Sequence, residues 1–194
     1  MNEFFKFCFD VLISIIVLIL LTPFIILISI IGVIIQGFPI FFIHERLGKN
    51  GIPFKMIKLR TMKNGPSLSS KNDEKRLTPW GKLLRNTSID EIPVFLNVLK
   101  RDMSVVGPRP MPTKYLLRFN KKQIVRLNVK PGITGLAQIS GRNKISWEKR
   151  FELDAEYVRS NTFLKDLKIL ILTFYVVLRR KGIESEKSEI MPEF

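Results

Sequence analysis

The sequence is poor in the residues that build many common sites. It has one cysteine, Cys8, and one histidine, His44, among 194 residues. A single cysteine excludes an internal disulfide, and a single histidine leaves no Cys-His set for zinc. We interpret His44 as a polar residue at a membrane boundary rather than a catalyst, since no partner motif accompanies it. A Walker A loop, a GxGxxG fingerprint and a GxSxG elbow are also missing, which excludes the enzyme classes that depend on them.

Acidic residues are scarce relative to basic ones. Lys and Arg number 32 against 17 Asp and Glu, which gives a formal net charge of +15 at pH 7. A surplus of this size requires an anionic partner: a nucleic acid, a phosphorylated substrate or an anionic lipid surface. Charge alone does not choose among these three classes.

Charge is absent from one long stretch, Val11 to Ile35. An apolar run of this length can cross a bilayer as a helix, so the sequence predicts a membrane segment. Thr22-Pro23 falls near its midpoint, where the proline removes a hydrogen bond and clashes with the Ile19 carbonyl, which predicts a kink. The residues favour a kinked span, but a segment that enters and leaves on one face stays open, because each half reaches the bilayer centre. The basic residues that follow place the rest of the chain in the cytoplasm.

Local patterns predict the elements after the membrane segment. Asn50-Gly51 is a strong hairpin turn signal between two short strands within Phe38 to Met62. Thr78-Pro79 is typical of a helix start, with threonine as the cap and proline at the first position. Three further helices are predicted: a basic one from Lys114 to Asn128, one capped by Ser146 that runs through Tyr157, and a last one that opens at Asn161 or Thr162.

The densest group of phosphate-handling residue types is the stretch Thr87 to Pro110, centred on Asp90 and Glu91. An apolar stripe after this pair predicts that it begins a helix. Ser88-x-x-Glu91 fits a capping box, whereas Asp90 as the cap puts Pro93 at the third helical position, where no backbone donor is required. Both arrangements turn the carboxylates toward free N–H groups, and the positive end of the helix then holds them ionised.

The same residues suit phosphoryl transfer. An ionised Asp90 can attack phosphorus, and Glu91 can hold Mg²⁺, which takes one or two carboxylates together with water and phosphate oxygens. Arg85 precedes the pair, and Arg109 follows it in Gly107-Pro108-Arg109-Pro110, where the prolines present the guanidinium to a phosphate at low entropic cost. An acidic pair alone is more often ordinary helix capping, and it is the flanking arginines that favour catalysis.

A glycine-containing stretch lies further downstream. Gly132, Gly135 and Gly141 are placed between Lys130 and Arg142. Backbone amides exposed at glycines, with cations on either side, can cradle a diphosphate. The pattern is weak by itself, and it agrees with a phosphorylated substrate.

Together these motifs closely resemble those of the bacterial sugar transferases, the monotopic phosphoglycosyl transferases of the small PglC type. The resemblance rests on Thr87 to Pro110, Lys130 to Gln138 and Ser140 to Asn143. It extends from about Pro39 to Leu178, with a matching hydrophobic N-terminus. Small departures from the family pattern occur at Ile89, Ile92, Val94 and Arg101.

The resemblance implies a membrane-associated, mostly helical α+β fold. Residues 1–37 would form a kinked re-entrant membrane helix that breaks at Thr22-Pro23, and residues 38–181 a catalytic domain with a short β-hairpin and amphipathic interfacial helices. Residues 182–194 are predicted to be a disordered tail. The protein would lie in the bacterial inner membrane, with the catalytic domain on the cytoplasmic face.

The resemblance also implies the reaction, transfer of a phospho-sugar from a UDP-sugar to polyprenyl phosphate with release of UMP. Asp90 would attack the sugar-bearing phosphorus and Glu91 would bind Mg²⁺. Further substrate-binding residues are expected at Lys58, Arg85, Arg109, Arg142 and Asp166. Taken alone, Asp166 would be read as a surface residue.

Two alternatives remain at this point. In the first, phosphate transfer is direct, and Asp90 only positions a group or accepts a proton. In the second, the chain is a membrane-tethered basic protein that binds nucleic acid or anionic lipid without catalysis. The carboxylates between arginines argue against the second, so no nucleic-acid partner is predicted. No residue in the sequence identifies the sugar.

Overall fold

The structure is a computed structural model that describes residues 3–63, 65, 76–141 and 145–178. The helices and strands in chain order are α1 (Glu3–Gln36), β1 (Phe41–Leu47), β2 (Pro53–Leu59), α2 (Pro79–Asn86), α3 (Phe95–Leu99), β3 (Ser104–Val106), β4 (Gly132–Thr134), α4 (Leu136–Ile139), α5 (Trp147–Ser160) and α6 (Phe163–Leu178). Short 3₁₀ helices lie between them at Lys49–Gly51, Ile89–Val94, Thr113–Arg118 and Ile124–Asn128. The described chain is mostly helical with a short β-hairpin, which confirms the predicted class at that level.

Helix α1 is the apolar element predicted from the sequence. It has 34 residues and continues through Pro23 without interruption. A helix of that length is about 51 Å long, which exceeds the roughly 30 Å of a bilayer core. Among the described residues it is the one helix long and apolar enough to cross a membrane. The Thr22 hydroxyl donates to the Leu18 carbonyl, and not to the Ile19 carbonyl that lacks an amide partner at Pro23. The re-entrant path stays a prediction.

The first turns of α1 are tied to the rest of the fold by polar side chains. Lys6, Asp10 and Ser14 share one face of the helix because they are spaced four residues apart. Lys6 Nζ lies 2.5 Å from Asp166 Oδ2, and Asp10 Oδ1 accepts a hydrogen bond from the Val105 amide at 3.0 Å. These contacts connect α1 to β3 and α6, and they precede the apolar run that the sequence singled out.

Strands β1 and β2 form the predicted antiparallel hairpin. Their register runs from Phe41 opposite Leu59 to Leu47 opposite Pro53. The turn has the positive φ angles that its sequence favours, 58° at Asn50 and 76° at Gly51. It contains a 3₁₀ turn, so the connection is longer than the two-residue loop that an Asn-Gly pair often forms.

The buried apolar core lies where β2, α3, β3, α5 and α6 meet. Its buried side chains are Met56, Val94, Val98, Met103, Val105, Val106, Tyr157 and Ile169. Strand β2 also packs on the 3₁₀ helix Ile89–Val94. The core therefore supports both segments that carry the predicted acidic and basic site residues.

The helix starts predicted at cap residues are confirmed. The Thr78 hydroxyl accepts from the Gly81 amide at 2.9 Å, and the Ser146 hydroxyl accepts from the Lys149 amide at 3.2 Å. Before α6, Thr162 caps in the same way. Each side-chain oxygen satisfies an amide that has no partner within the first helical turn.

The basic helix predicted from Lys114 to Asn128 is wrong. The chain forms two short 3₁₀ helices there, separated by a turn at Asn120. The Asn120 side chain accepts hydrogen bonds from the amides of Lys122 and Gln123 at 2.9 and 3.0 Å. Asparagine competes in this way with the helical hydrogen-bond pattern, which ends the first segment.

Two of the three glycines of the phosphate cradle predicted between Lys130 and Arg142, Gly132 and Gly135, pack closely on the backbone of Gly107, and Arg142 lies outside the described residues. Strand β4 pairs in parallel with β3, and a Cβ atom at Gly132 would lie 2.0 Å from the Gly107 amide nitrogen. A Cβ atom at Gly135 would lie 2.2 Å from the Gly107 carbonyl oxygen. The Gly132 amide already donates to the Pro108 carbonyl at 2.9 Å. These glycines therefore permit close backbone packing behind Arg109.

Asn97 joins the hairpin to α3. It is fully buried, its Nδ2 donates to the Lys55 carbonyl at 2.7 Å, and its Oδ1 accepts from the Ile57 amide at 3.0 Å. The side chain thus satisfies backbone groups on the free edge of β2, an edge that pairs with no further strand among the described residues.

Asn97→Ala is expected to lower the free energy of unfolding by about 1–3 kcal/mol, because it removes a fully buried side chain that bonds the Lys55 carbonyl and the Ile57 amide. Urea unfolding of the detergent-solubilised protein, followed by tryptophan fluorescence, measures this. The exposed neighbour Lys100→Ala is the matched control, with an expected change within about 0.5 kcal/mol. Equal stability of the two variants would contradict the role given to Asn97.

Candidate active site

The acidic pair does not cap an α-helix as predicted. Ser88 has a left-handed backbone with φ of 58°, and its side chain makes no capping hydrogen bond. Asp90 and Glu91 lie inside the 3₁₀ helix Ile89–Val94, which also contains Pro93. Both proposed cap assignments are therefore wrong, because the chain reverses sharply at Ser88 and begins a tighter helix.

Glu91 is held between two cations. Its Oε1 accepts from Lys58 Nζ at 2.6 Å and from Arg109 Nη2 at 2.8 Å. Burial alone would raise the pKa of the Glu91 carboxyl, but the charges of Arg109 and Lys58 outweigh it and hold the pKa well below its usual range. Glu91 is therefore ionised at neutral pH. Its other oxygen, Oε2, makes no hydrogen bond to a described residue.

Asp90 has a different environment from its neighbour. Its exposed fraction is 7%, and no hydrogen bond joins its carboxyl to another described residue. Burial, with the charge of Glu91, raises its pKa to about 6, against the opposing effect of three cations, Lys58, Arg85 and Arg109. The predicted cause of ionisation, the positive end of an α-helix, is not present at Asp90, which lies inside the 3₁₀ helix. Neutral pH still lies above the raised value, so most of the carboxyl is ionised, and a desolvated carboxylate of this kind is a good nucleophile.

The remaining predicted residues are divided between two places. Arg85 on α2 donates from Nε to the Thr61 hydroxyl at 3.0 Å and acts electrostatically on Asp90. Asp166 is 1% exposed, not a surface residue, and accepts from the Tyr157 hydroxyl at 2.7 Å in the cluster that holds Lys6. Arg142 lies outside the described residues. The structure therefore groups Lys58, Arg85, Asp90, Glu91 and Arg109, and it puts Asp166 in the separate cluster beneath β3.

Comparison with known proteins identifies the family. Residues 1–180 match the sequence model of a family described as bacterial sugar transferase. The chain belongs to this family. The transferase is 53% identical over 152 residues to the uncharacterized sugar transferase EpsL of Bacillus subtilis, a match that covers 76% of this chain and 74% of EpsL. The resemblance first found in the sequence motifs is thus confirmed.

Two longer relatives carry names that state a reaction. The transferase is 38% identical over 201 residues to the undecaprenyl-phosphate galactose phosphotransferase of Salmonella typhimurium, covering 93% of this chain and 42% of that protein. It is 40% identical over 187 residues to the UDP-glucose:undecaprenyl-phosphate glucose-1-phosphate transferase of Klebsiella pneumoniae, covering 90% of this chain and 40% of that protein. The chain therefore spans less than half the length of these two relatives.

The sequence interpretation missed two residues of the transferase beside this site, His44 and Arg46. Opposite residues of an antiparallel hairpin share a face, so the residues Phe42, His44 and Arg46 lie on the same side as Lys58. Burial, with the charges of Arg46, Lys58 and Arg109, lowers the pKa of His44 to about 3. The sequence signal for these residues was the alternation of side chains along β1, which puts His44 and Arg46 on one face. Only the pairing register of β1 with β2 shows that Lys58 lies on the same face.

A buried ion pair holds the backbone of Arg109 in position. Arg126 Nη2 lies 2.8 Å from Asp154 Oδ2, and the two side chains are only 6% and 4% exposed. The same Arg126 group donates to the Arg109 carbonyl at 2.7 Å. This pair joins α5 to the backbone of the Gly107 to Pro110 segment, so it fixes the position from which Arg109 reaches Glu91.

Proposed function

We propose that the transferase moves a phospho-sugar from a UDP-sugar to polyprenyl phosphate, forming a polyprenyl-diphosphate-sugar and UMP. The observation that carries this proposal is a buried Asp90, whose carboxyl makes no hydrogen bond to another described residue, beside a Glu91 that Lys58 and Arg109 hold ionised. Two relatives whose names state undecaprenyl-phosphate transfer support the acceptor class. The product would start a glycan on its lipid carrier.

In the first step, a carboxylate oxygen of Asp90 attacks the sugar-bearing phosphorus. The bond from that phosphorus to the bridging oxygen breaks, and its electron pair leaves on the phosphate of UMP. An aspartyl-phosphosugar is left on the enzyme. Lys58, Arg85 and Arg109 neutralise negative charge as it builds on the phosphate oxygens, which is the main contribution a protein makes to phosphoryl transfer.

In the second step, a phosphate oxygen of the polyprenyl phosphate attacks the same phosphorus and expels the Asp90 carboxylate. The acceptor is already an anion at neutral pH, so the step requires no general base. Helix α1 supports this scheme because its apolar surface suits a bilayer, which would put the site at headgroup depth, beside the lipid phosphate. We place the transferase in the bacterial inner membrane, with α1 re-entrant and the site on the cytoplasmic face.

The acidic pair fits a magnesium ion. Glu91 Oε2 is not engaged by a described residue, and the part of the chain that the structure describes has no cluster of three or more metal-ligating side chains. Mg²⁺ commonly binds through one or two carboxylates and completes its shell with water and substrate phosphate. Held by Glu91, the ion would supply positive charge across the donor diphosphate.

Glu91→Gln is expected to lower UMP release by about a hundredfold or more, because it removes the charge that orders Lys58 and Arg109 and the carboxylate that would hold Mg²⁺. The measurement is UMP release at several Mg²⁺ concentrations, with EDTA as the zero point. Release by the wild type that persists in EDTA would contradict the metal assignment. Full activity of Glu91→Gln would contradict the role of the pair.

The test of the whole proposal is UMP release by the transferase in nanodiscs, with a panel of UDP-sugars and polyprenyl phosphate. We expect release with at least one sugar and a lipid product that carries the sugar on a diphosphate. If no sugar gives UMP or a lipid product, the proposed donor class is wrong. Salt-sensitive nucleic-acid binding that persists in Asp90→Asn would instead support the non-enzymatic alternative.

A further inference from the structure

Three enclosed nitrogen atoms beside the acidic pair have no hydrogen-bond partner in the part of the chain that the structure describes. They are Nδ1 and Nε2 of His44 and Nε of Arg46, none of which makes a hydrogen bond to a described residue. An enclosed polar atom without a partner costs stability, so such atoms are usually completed by a ligand or by water. Their concentration on one strand face of a catalytic site indicates a binding surface.

The position of these side chains is fixed by the hairpin and its neighbours. His44 stacks on Phe42 with ring centroids 4.9 Å apart and an interplanar angle of 22°. Phe42 is the register partner of Lys58. Arg46 forms a backbone bridge with Pro112, just beyond the segment that carries Arg109. His44 and Arg46 are thus held between the strand of Lys58 and the segment of Arg109.

The charges around the site give it two ends. Asp90 interacts electrostatically with Arg85, Lys58 and Arg109. Arg46 instead interacts with Arg109, Glu91 and Tyr115. The hairpin gives the order of these groups: Arg85 donates to Thr61 just beyond the end of β2, and Lys58 lies opposite Phe42. His44 and Arg46 lie two and four residues farther along β1, toward the turn, so they are at the end away from Arg85 and Asp90.

We propose that His44 and Arg46 bind the uridine-side phosphate of the donor, the phosphate that leaves as UMP. This inference rests on the proposed function, in which Asp90 attacks the phosphorus that carries the sugar. If Asp90 marks the sugar-side phosphate, the second phosphate of the same diphosphate extends toward the opposite end. An imidazole N–H and a guanidinium are suitable donors to its oxygens, and Arg46 adds a cation.

The pair also contributes to the chemical step. When the bond between the sugar-bearing phosphorus and the bridging oxygen breaks, the electron pair stays on that oxygen, and negative charge grows on UMP. Hydrogen bonds from His44 and Arg46 to this phosphate strengthen as the charge grows. No proton is transferred, and the leaving phosphate departs as an anion.

The test compares four substitutions in nanodisc-bound transferase: His44→Ala, His44→Gln, His44→Asn and Arg46→Gln. Two quantities are measured for each, the kcat/KM for UDP-sugar and the inhibition constant of UMP. We expect His44→Ala and Arg46→Gln to weaken UMP inhibition and to lower kcat/KM by at least about tenfold each. Gln places an amide near Nε2 and Asn places one near Nδ1, so one of them should restore part of the loss and identify the donating nitrogen.

The control is Lys55→Ala, an exposed residue on the other face of the same hairpin, which should leave both quantities unchanged. Wild-type values in His44→Ala and Arg46→Gln would overturn this inference while the proposed function stands. Equal weakening of inhibition by UMP and by uridine, which has no phosphate, would place the pair at the base and also overturn it. Wild-type enzyme that releases no UMP from any donor would instead overturn the proposed function, and this inference with it.

Discussion

Asp90→Asn is expected to lower UMP release by at least about a thousandfold, since an amide cannot attack phosphorus. The substitution should not weaken the fold. The pKa of Asp90 is raised in the folded state to about 6, so ionisation of this carboxyl destabilises the folded protein. This destabilisation is present at neutral pH, which lies above that pKa. A neutral amide removes this cost, so the free energy of unfolding at pH 7 should stay the same or rise.

Measuring turnover and urea unfolding on the same preparation separates catalysis from folding. Glu152→Gln is the matched control, because it makes the same chemical change at an exposed carboxylate that pairs with Lys149. It should retain wild-type turnover and stability. An Asp90→Asn variant that keeps more than a tenth of the activity would contradict both the two-step and the direct scheme, since each gives Asp90 a chemical task.

The largest stability effect is expected at the buried pair of Arg126 and Asp154. Asp154→Leu should lower the free energy of unfolding by about 3–5 kcal/mol, because it leaves the Arg126 guanidinium charged, buried and without its carboxylate. The double variant Arg126→Met with Asp154→Leu should recover most of this loss, because two apolar side chains fill a similar volume without an unpaired charge.

Chemical unfolding of the wild type, the single variant and the double variant tests this directly. The double variant also loses the hydrogen bond from Arg126 to the Arg109 carbonyl. Its catalytic activity should therefore stay low even where its stability recovers. A single variant within about 1 kcal/mol of the wild type would contradict the burial assigned to this pair.

Elements with local signals were predicted well from the sequence. The Asn50-Gly51 turn, the caps at Thr78 and Ser146 and the charge-free helix each depend on a few neighbouring residues and on backbone preferences. The acidic pair was found because its motif is long and ordered. The backbone conformation of the pair was not predicted, since the left-handed turn at Ser88 depends on how α2 packs before it.

Contacts that depend on distant pairing were missed. His44 reaches the site only through the β1–β2 register, and Lys6 meets Asp166 across most of the length of the chain. Gly132 was interpreted as part of a phosphate cradle because a sequence does not show that Gly107 packs against it. The sequence therefore identified residues that the structure groups around Asp90, but it did not predict the backbone arrangement that holds them.

The covalent aspartyl-phosphosugar is the central claim, and intact-protein mass spectrometry tests it most directly. Purified transferase is mixed with Mg²⁺ and each UDP-sugar in turn, without polyprenyl phosphate, and Asp90→Asn is treated in the same way. The account predicts a mass increase equal to one phospho-sugar in the wild type and none in the variant, and the sugar that gives the increase is the donor. Absence of any adduct, with UMP released once polyprenyl phosphate is added, would contradict the covalent route and leave direct transfer in its place.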